Sequence, residues 1–175
     1  MILSRTFASI ALIAAAMTTV TACAATPAPA PATSTEQVKP AADVITMSDA
    51  WVKTADKGMT AAFGTLTNAG DADVTVVGVT TAAATMSELH ETVEDASGAM
   101  VMRPIEGGFV LPARSDFVLK PAGNHIMLME LTAPLHAGDE VPFTLEFADG
   151  STLAFTAVVK DYSGANENYV GSGDE

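Results

Sequence analysis

From Val44 onward the chain breaks into short segments rich in β-branched residues, each closed by turn-forming residues before a helix has room to form. That punctuation is the tightest constraint on the fold. A sustained 3.6-residue period, the mark of an amphipathic helix, is missing, while the period of two that half-buries a strand recurs. The pattern predicts strands near Val44–Val52, Thr60–Asn68, Val74–Thr80, Met86–Thr92, Met100–Ile105, Phe109–Leu111, Asp116–Leu119, His125–Leu131, Pro142–Phe147 and Thr152–Lys160. Asn68-Ala69-Gly70-Asp71, Asp95-Ala96-Ser97-Gly98 and Ala148-Asp149-Gly150-Ser151 supply turn chemistry between them. Ala82–Ala84 is read as the start of a helical turn, with no long helix behind it. Many short strands with frequent turns specify an all-β, Greek-key β-sandwich.

The segments outside residues 44–160 have a different character. Residues 1–22 read as an export signal, with Arg5 as the positive start and Ala8–Ala16 as an apolar run too short to span a bilayer. Val20-Thr21-Ala22-Cys23 resembles the bacterial lipobox, whose cysteine is lipidated, and Cys23 is the only cysteine in the chain. Ordinary signal-peptide cleavage after Ala22-Cys23-Ala24, a small-x-small pattern, is the alternative. Lipidation with Ala24 next in line points to the outer membrane, and both routes lead to the bacterial periplasm. Residues 23–43 form a Pro/Ala-rich linker, expected to be extended and semi-rigid. Residues 161–175 hold Gly, Asn, Ser and acids with little to bury, and disorder is expected there.

Charge excludes one class of partner. The formal net charge is −13, and the eight basic residues form no patch, so nucleic acid is not expected to bind.

The chemistry concentrates between Met86 and Met127. Two of the three histidines, His90 and His125, lie there with several of the nine methionines. In a strand, residues two apart share a face roughly 7 Å apart, so His125-x-Met127 presents an imidazole and a thioether together. Ile126 and Leu128 then face the core, while His125, Met127 and Met129 face away from it. Met86, Glu88 and His90 likewise share a face, as do Met100 and Met102. Two nitrogens and two sulfurs suit a soft ion such as Cu(I) better than a hard cation. Each residue alone reads more simply as packing; the conjunction does not. Lys120-Pro121-Ala122-Gly123, with Pro second and Gly fourth, favours a type I turn leading into His125. Pro104 suits the end of an edge strand, which places the site at an open rim.

These residues carry a family resemblance. Leu89-His90-Glu91-Thr92, Met102-Arg103-Pro104-Ile105-Glu106-Gly107 and Leu119-Lys120-Pro121-Ala122-Gly123-Asn124-His125-Ile126-Met127-Leu128 are similar to blocks of the periplasmic copper chaperones called PCu(A)C. The resemblance spans about Val44–Val159 and includes Asp49-Ala50-Trp51-Val52 and the Asp149-Gly150 hairpin. It implies a cupredoxin-like sandwich holding one Cu(I) per chain through His90, Met102, His125 and Met127. It further implies a monomer with no enzymatic activity that delivers copper to the binuclear centre of cytochrome c oxidase subunit II, with a Sco-type thiol protein as a further partner. The chain departs from the pattern in three places. Glu91 stands at a position where a methionine is variable, Ala122 replaces a usual glycine, and the Met102–His125 interval is one residue longer, with the extra residue assigned to the Gly107-Gly108 turn. The tail contains no His or Met, so no second copper site is expected there.

Other functional classes fit less well. A blue-copper electron carrier needs a cysteine ligand in the domain, and Cys23 precedes it. No Gly-x-Ser-x-Gly motif accompanies the histidines. A metal-free adhesion or scaffold lipoprotein, or a periplasmic copper buffer, stands as the alternative. His136 is expected at the surface, Met47 and Met59 in structural roles, Trp51 as a core or capping aromatic, and Met100 and Met129 as packing residues or neighbours of the site.

Overall fold

The strand-forming segments assemble as the alternation requires. The computed structural model describes residues 39–164 and 168–169. The export segment, Cys23 and the linker up to residue 38 lie outside the described residues, as do 165–167 and 170–175. A single-turn helix, α1 (Ala41–Val44), precedes β1 (Ile45–Lys53), β2 (Thr60–Asn68), β3 (Val74–Thr81), β4 (Ala84–Glu94), β5 (Met100–Pro104) and β6 (Phe109–Leu111). Then come β7 (Ser115–Leu119), β8 (His125–Leu131), β9 (Glu140–Phe147), β10 (Thr152–Lys160) and the two-residue β11 (Asn168–Tyr169).

One ladder runs β11-β5-β4-β8-β2-β1-β10-β9-β3-β6, with β7 also paired to β2. All pairs are antiparallel except β1–β10 and β11–β5. The ladder folds over at β2, whose first residues pair with β8 (Thr60↔Leu128) and whose last five pair with β7 (Gly64↔Leu119). The switch falls at Gly64, where a Cβ would sit 2.9 Å from the Met47 Sδ and 3.0 Å from the Ser48 carbonyl. Glycine is therefore what lets β2 approach β1, beside the bulge between Ser48 and Trp51 that bends β1. The resulting sandwich encloses Leu66, Phe109, Ile126, Leu128, Phe143 and Phe147. Each large side chain buried there contributes about 1.5–3 kcal/mol. On the other face of the β5-β4-β8 strip, Met102, Met127 and Met129 form a separate buried cluster.

Three expectations change. The linker ends earlier than residue 43, because Asp149 and Ser151 of the β9–β10 turn accept the Ala41 and Ala42 amides at 2.8 and 3.1 Å. Ala41 is buried, and this docking is what makes α1 part of the domain. The tail is not disordered throughout. Asn168 and Tyr169 pair in parallel with Val101 and Met102, and Tyr162 packs against Trp51 at 5.3 Å between ring centroids. The strand alternation ends at Lys160, and nothing in the local pattern marks a lone tyrosine that docks far from its neighbours. Finally, residues 82–83 form a turn between β3 and β4 rather than the start of a helix.

The Gly107-Gly108 turn joins β5 to β6. Gly107 and Gly108 both have positive φ, and a Cβ on Gly108 would lie 2.0 Å from the Val76 carbonyl oxygen. The turn therefore packs onto β3.

Candidate metal centre

Strand pairing decides what meets what. β4 and β8 run antiparallel with His90 directly opposite His125, and β5 lies on the other side of β4 with Met102 opposite Thr92. Period two does the rest. In β4, Leu89 points into the main core and His90 away from it; in β8, Ile126 and Leu128 point in, and His125, Met127 and Met129 point away. The two imidazoles stand 5.5 Å apart at 61°, edge to face, and Met102 and Met127 share the neighbouring thioether cluster. The four residues that the resemblance singles out, from three strands, thus gather on one face.

Each imidazole has one nitrogen committed. The His90 Nε2–H donates to the Glu88 carboxylate at 2.8 Å, so Nδ1 carries the lone pair. That Nδ1 is buried with no hydrogen-bond partner among the described residues. A buried acceptor left so costs about 1–3 kcal/mol, a cost that a bound cation removes. The His125 Nδ1–H donates to the Gly123 carbonyl at 2.9 Å, which puts the lone pair on Nε2. Fixing the ring by its other nitrogen is how proteins orient histidine toward a metal. Burial lowers the pKa of His90 below its ordinary value, partly offset by the Glu88 hydrogen bond and charge. His90 is therefore neutral near pH 7, as a ligand must be.

The turn before β8 differs from its sequence reading. Ala122 has φ 56°, and the Gly123 amide donates to the Lys120 carbonyl at 3.1 Å. A positive φ at the third position belongs to a type II turn, not type I. Alanine disguises this, since glycine is the residue that advertises such a turn. The Thr92 hydroxyl also donates to the Gly123 carbonyl at 3.2 Å, tying the turn to β4.

The centre is less open than a rim. His90, Met102, His125 and Met127 are all at least nine-tenths buried. A cavity of about 180 Å³ reaches Met102, His125 and Met127 from outside, with Phe63, Met59 and Tyr169 in its walls. Met59, expected to be structural, is half exposed at this cavity. Glu91 lies on the opposite face from His90 and pairs with Arg103 at 3.0 Å. Met86 and Met100 are exposed, Met129 is buried beside Met127, and His136 is exposed in the turn before β9. Trp51 is half-buried between Phe63 and Tyr162. Two contributors were missed: Tyr169, which carries no local signal, and the role of Glu88, which its place two residues before His90 already made legible.

Among the described residues no group of three His, Cys, Asp or Glu is placed to hold a metal ion. A metal at this site draws on thioethers, which selects soft ions.

Known proteins share this architecture. Residues 45–159 match the family model LpqE-like, named for a lipoprotein. A protein of Leifsonia xyli subsp. xyli (strain CTCB07) named as a lipoprotein, Lxx21020, is 52% identical over 130 residues, covering 74% of this chain and 78% of its own length. The solution structure of CuI-DR1885 from Deinococcus radiodurans is 34% identical with a TM-score of 0.54, covering 75% of this chain and 85% of that one. The copper-bound PCuAC domain from PmoF2, at 19% identity and a TM-score of 0.56, shares the fold over 67% of this chain and 93% of its own.

Proposed function

The chain belongs to the LpqE-like family of PCuAC proteins, and we propose that it binds one Cu(I) through His90, Met102, His125 and Met127 and passes it on. The observation that carries this reading is the cross-strand pair His90↔His125, each ring fixed by a hydrogen bond at one nitrogen, beside a buried thioether cluster. Two imidazoles and two thioethers are neutral donors. They favour Cu(I) over Cu(II), and the thioethers bind without losing a proton or entering thiol–disulfide exchange. An ion held by neutral, exchangeable donors beneath a cavity suits transfer better than permanent storage.

Anaerobic Cu(I) titration of the full chain, followed by X-ray absorption, tests the site. One equivalent with a mixed sulfur and nitrogen shell is expected, with affinity falling at least tenfold in His125→Ala and in Met127→Ala. A shell of oxygens, or no uptake, overturns the reading.

The family resemblance supports the binuclear copper centre of cytochrome c oxidase subunit II as the acceptor, with a Sco-type thiol protein as a further partner. Anaerobic mixing of the copper-loaded chain with the apo subunit II domain tests the acceptor; absence of copper transfer rejects it. The lipoprotein names of the family and of the Leifsonia relative support lipid anchoring. Cys23 as the lipidated residue, and the outer membrane facing the periplasm as the place, rest on the lipobox-like Val20-Thr21-Ala22-Cys23 followed by Ala24. Cys23→Ala is then expected to release the protein from the membrane fraction.

A further inference from the structure

A path of rings crosses the strands that carry the candidate ligands, and both its ends come from the tail. Tyr162 meets Trp51 at 5.3 Å and Trp51 meets Phe63 at 4.5 Å. Phe63 meets His125 at 6.3 Å, and His125 meets His90 at 5.5 Å. Tyr169 closes the path, stacked on His90 at 5.4 Å with an interplanar angle of 11°. The chain leaves β10 beside β1 and returns beside β5, on the far side of β2, β8 and β4. Lys53 Nζ donates to the Gly164 carbonyl at the near end. At the far end the backbone of Tyr169 is in register with Met102, and its ring lines the cavity that reaches Met102, His125 and Met127.

We propose that Tyr169 is a positioning and shielding residue of the copper site: its ring holds the plane of His90 and shields that ligand's outer face. This rests on the reading of the site given above. Two contacts of different kinds support it. The β11–β5 ladder fixes where the residue sits, and the near-parallel stack sets how its ring lies. His90 is fully buried although it points away from the main core, whereas Tyr169 itself is 36% exposed. The tyrosine thus stands between the imidazole and solvent. An offset stack of this kind is favourable beyond its buried area, and losing one such pair changes a rate or equilibrium by roughly three- to tenfold.

The test compares the full-length wild-type chain with Tyr169→Ala and Tyr169→Phe in two measurements. In the metal-free protein, NMR of the His90 ring protons reads the ring current of Tyr169. In the copper-loaded protein, transfer of Cu(I) to excess bathocuproine disulfonate reads shielding. Tyr169→Ala is expected to lose the upfield ring-current shift at His90 and to release copper roughly three- to tenfold faster. Tyr169→Phe keeps both close to wild type, because the ring is retained. Identical His90 shifts in wild type and Tyr169→Ala overturn the stack. Altered shifts with an unchanged release rate overturn the shielding while leaving the site intact. Failure of every variant to take up Cu(I) overturns the reading of the site, and the shielding role with it.

Discussion

Replacing Glu88 with alanine removes the acceptor that fixes the tautomer of His90 without touching any proposed ligand. The Nε2–Oε2 separation is 2.8 Å, and the carboxylate side chain is 31% exposed. A hydrogen bond to a charged group is worth about 1.5–3 kcal/mol, and water at the exposed side replaces part of it. The lower half of that range corresponds to roughly a 12- to 40-fold loss of Cu(I) affinity at pH 7.5, within the range usual for partners that orient metal ligands. The pH dependence has a definite sign. Burial lowers the His90 pKa and Glu88 opposes that lowering, so its removal lets the pKa fall further. Protons then compete for His90 only at lower pH, and the gap between Glu88→Ala and wild type narrows on acidification. Competition with a Cu(I) chelator at pH 7.5 and at pH 5.5 measures both effects. Wild-type affinity within twofold at pH 7.5, or a gap that widens toward pH 5.5, refutes the assignment of Glu88 as the residue that orients His90.

Three further outcomes are expected. The metal-free protein loses stability on acidification: the unfolded chain takes up a proton near the ordinary histidine pKa of about 6.5 while folded His90 resists it, so the loss begins below that pH and is complete below the lowered value. Thermal melts of metal-free wild type and His90→Leu between pH 7.5 and 5 check this, with the variant showing the shallower decline. Ala122→Gly is expected to stabilise the fold by about 0.5–1 kcal/mol in denaturant melts. Relief of a left-handed alanine (about 1–2 kcal/mol) there outweighs the backbone entropy of glycine (about 0.5–1 kcal/mol). Met129→Ala is expected to cost about 2–4 kcal/mol of stability while leaving one Cu(I) per chain in titration, because Met129 is buried beside Met127 and lies outside the proposed ligand set.

Much of the fold was legible because period two acts locally. The predicted bounds of β2, β6, β8 and β10 match the observed ones, since each strand is closed by residues that cannot extend it. The ends of the domain were not legible. Ala41 and Ala42 read as linker until Asp149 and Ser151, more than a hundred positions away, accept their amides. Ala122 hid a type II turn for a different reason. The strain of a left-handed alanine is compensated by the surrounding structure, so the residue that would have marked the turn is missing.

The division at the candidate centre has the same cause. The sequence alone determined which face each side chain takes: His125 with Met127 away from the core, Ile126 with Leu128 into it, and His90 opposite in sense to Leu89, because alternation along a strand is a property of the backbone. Only the tertiary structure decided that β4 lies between β5 and β8 in the register that sets His90 against His125, that each ring is fixed by Glu88 or the Gly123 carbonyl, and that Tyr169 closes over His90. Strand order, register and the docking of a tail depend on contacts between residues far apart in the chain, and no local pattern encodes them.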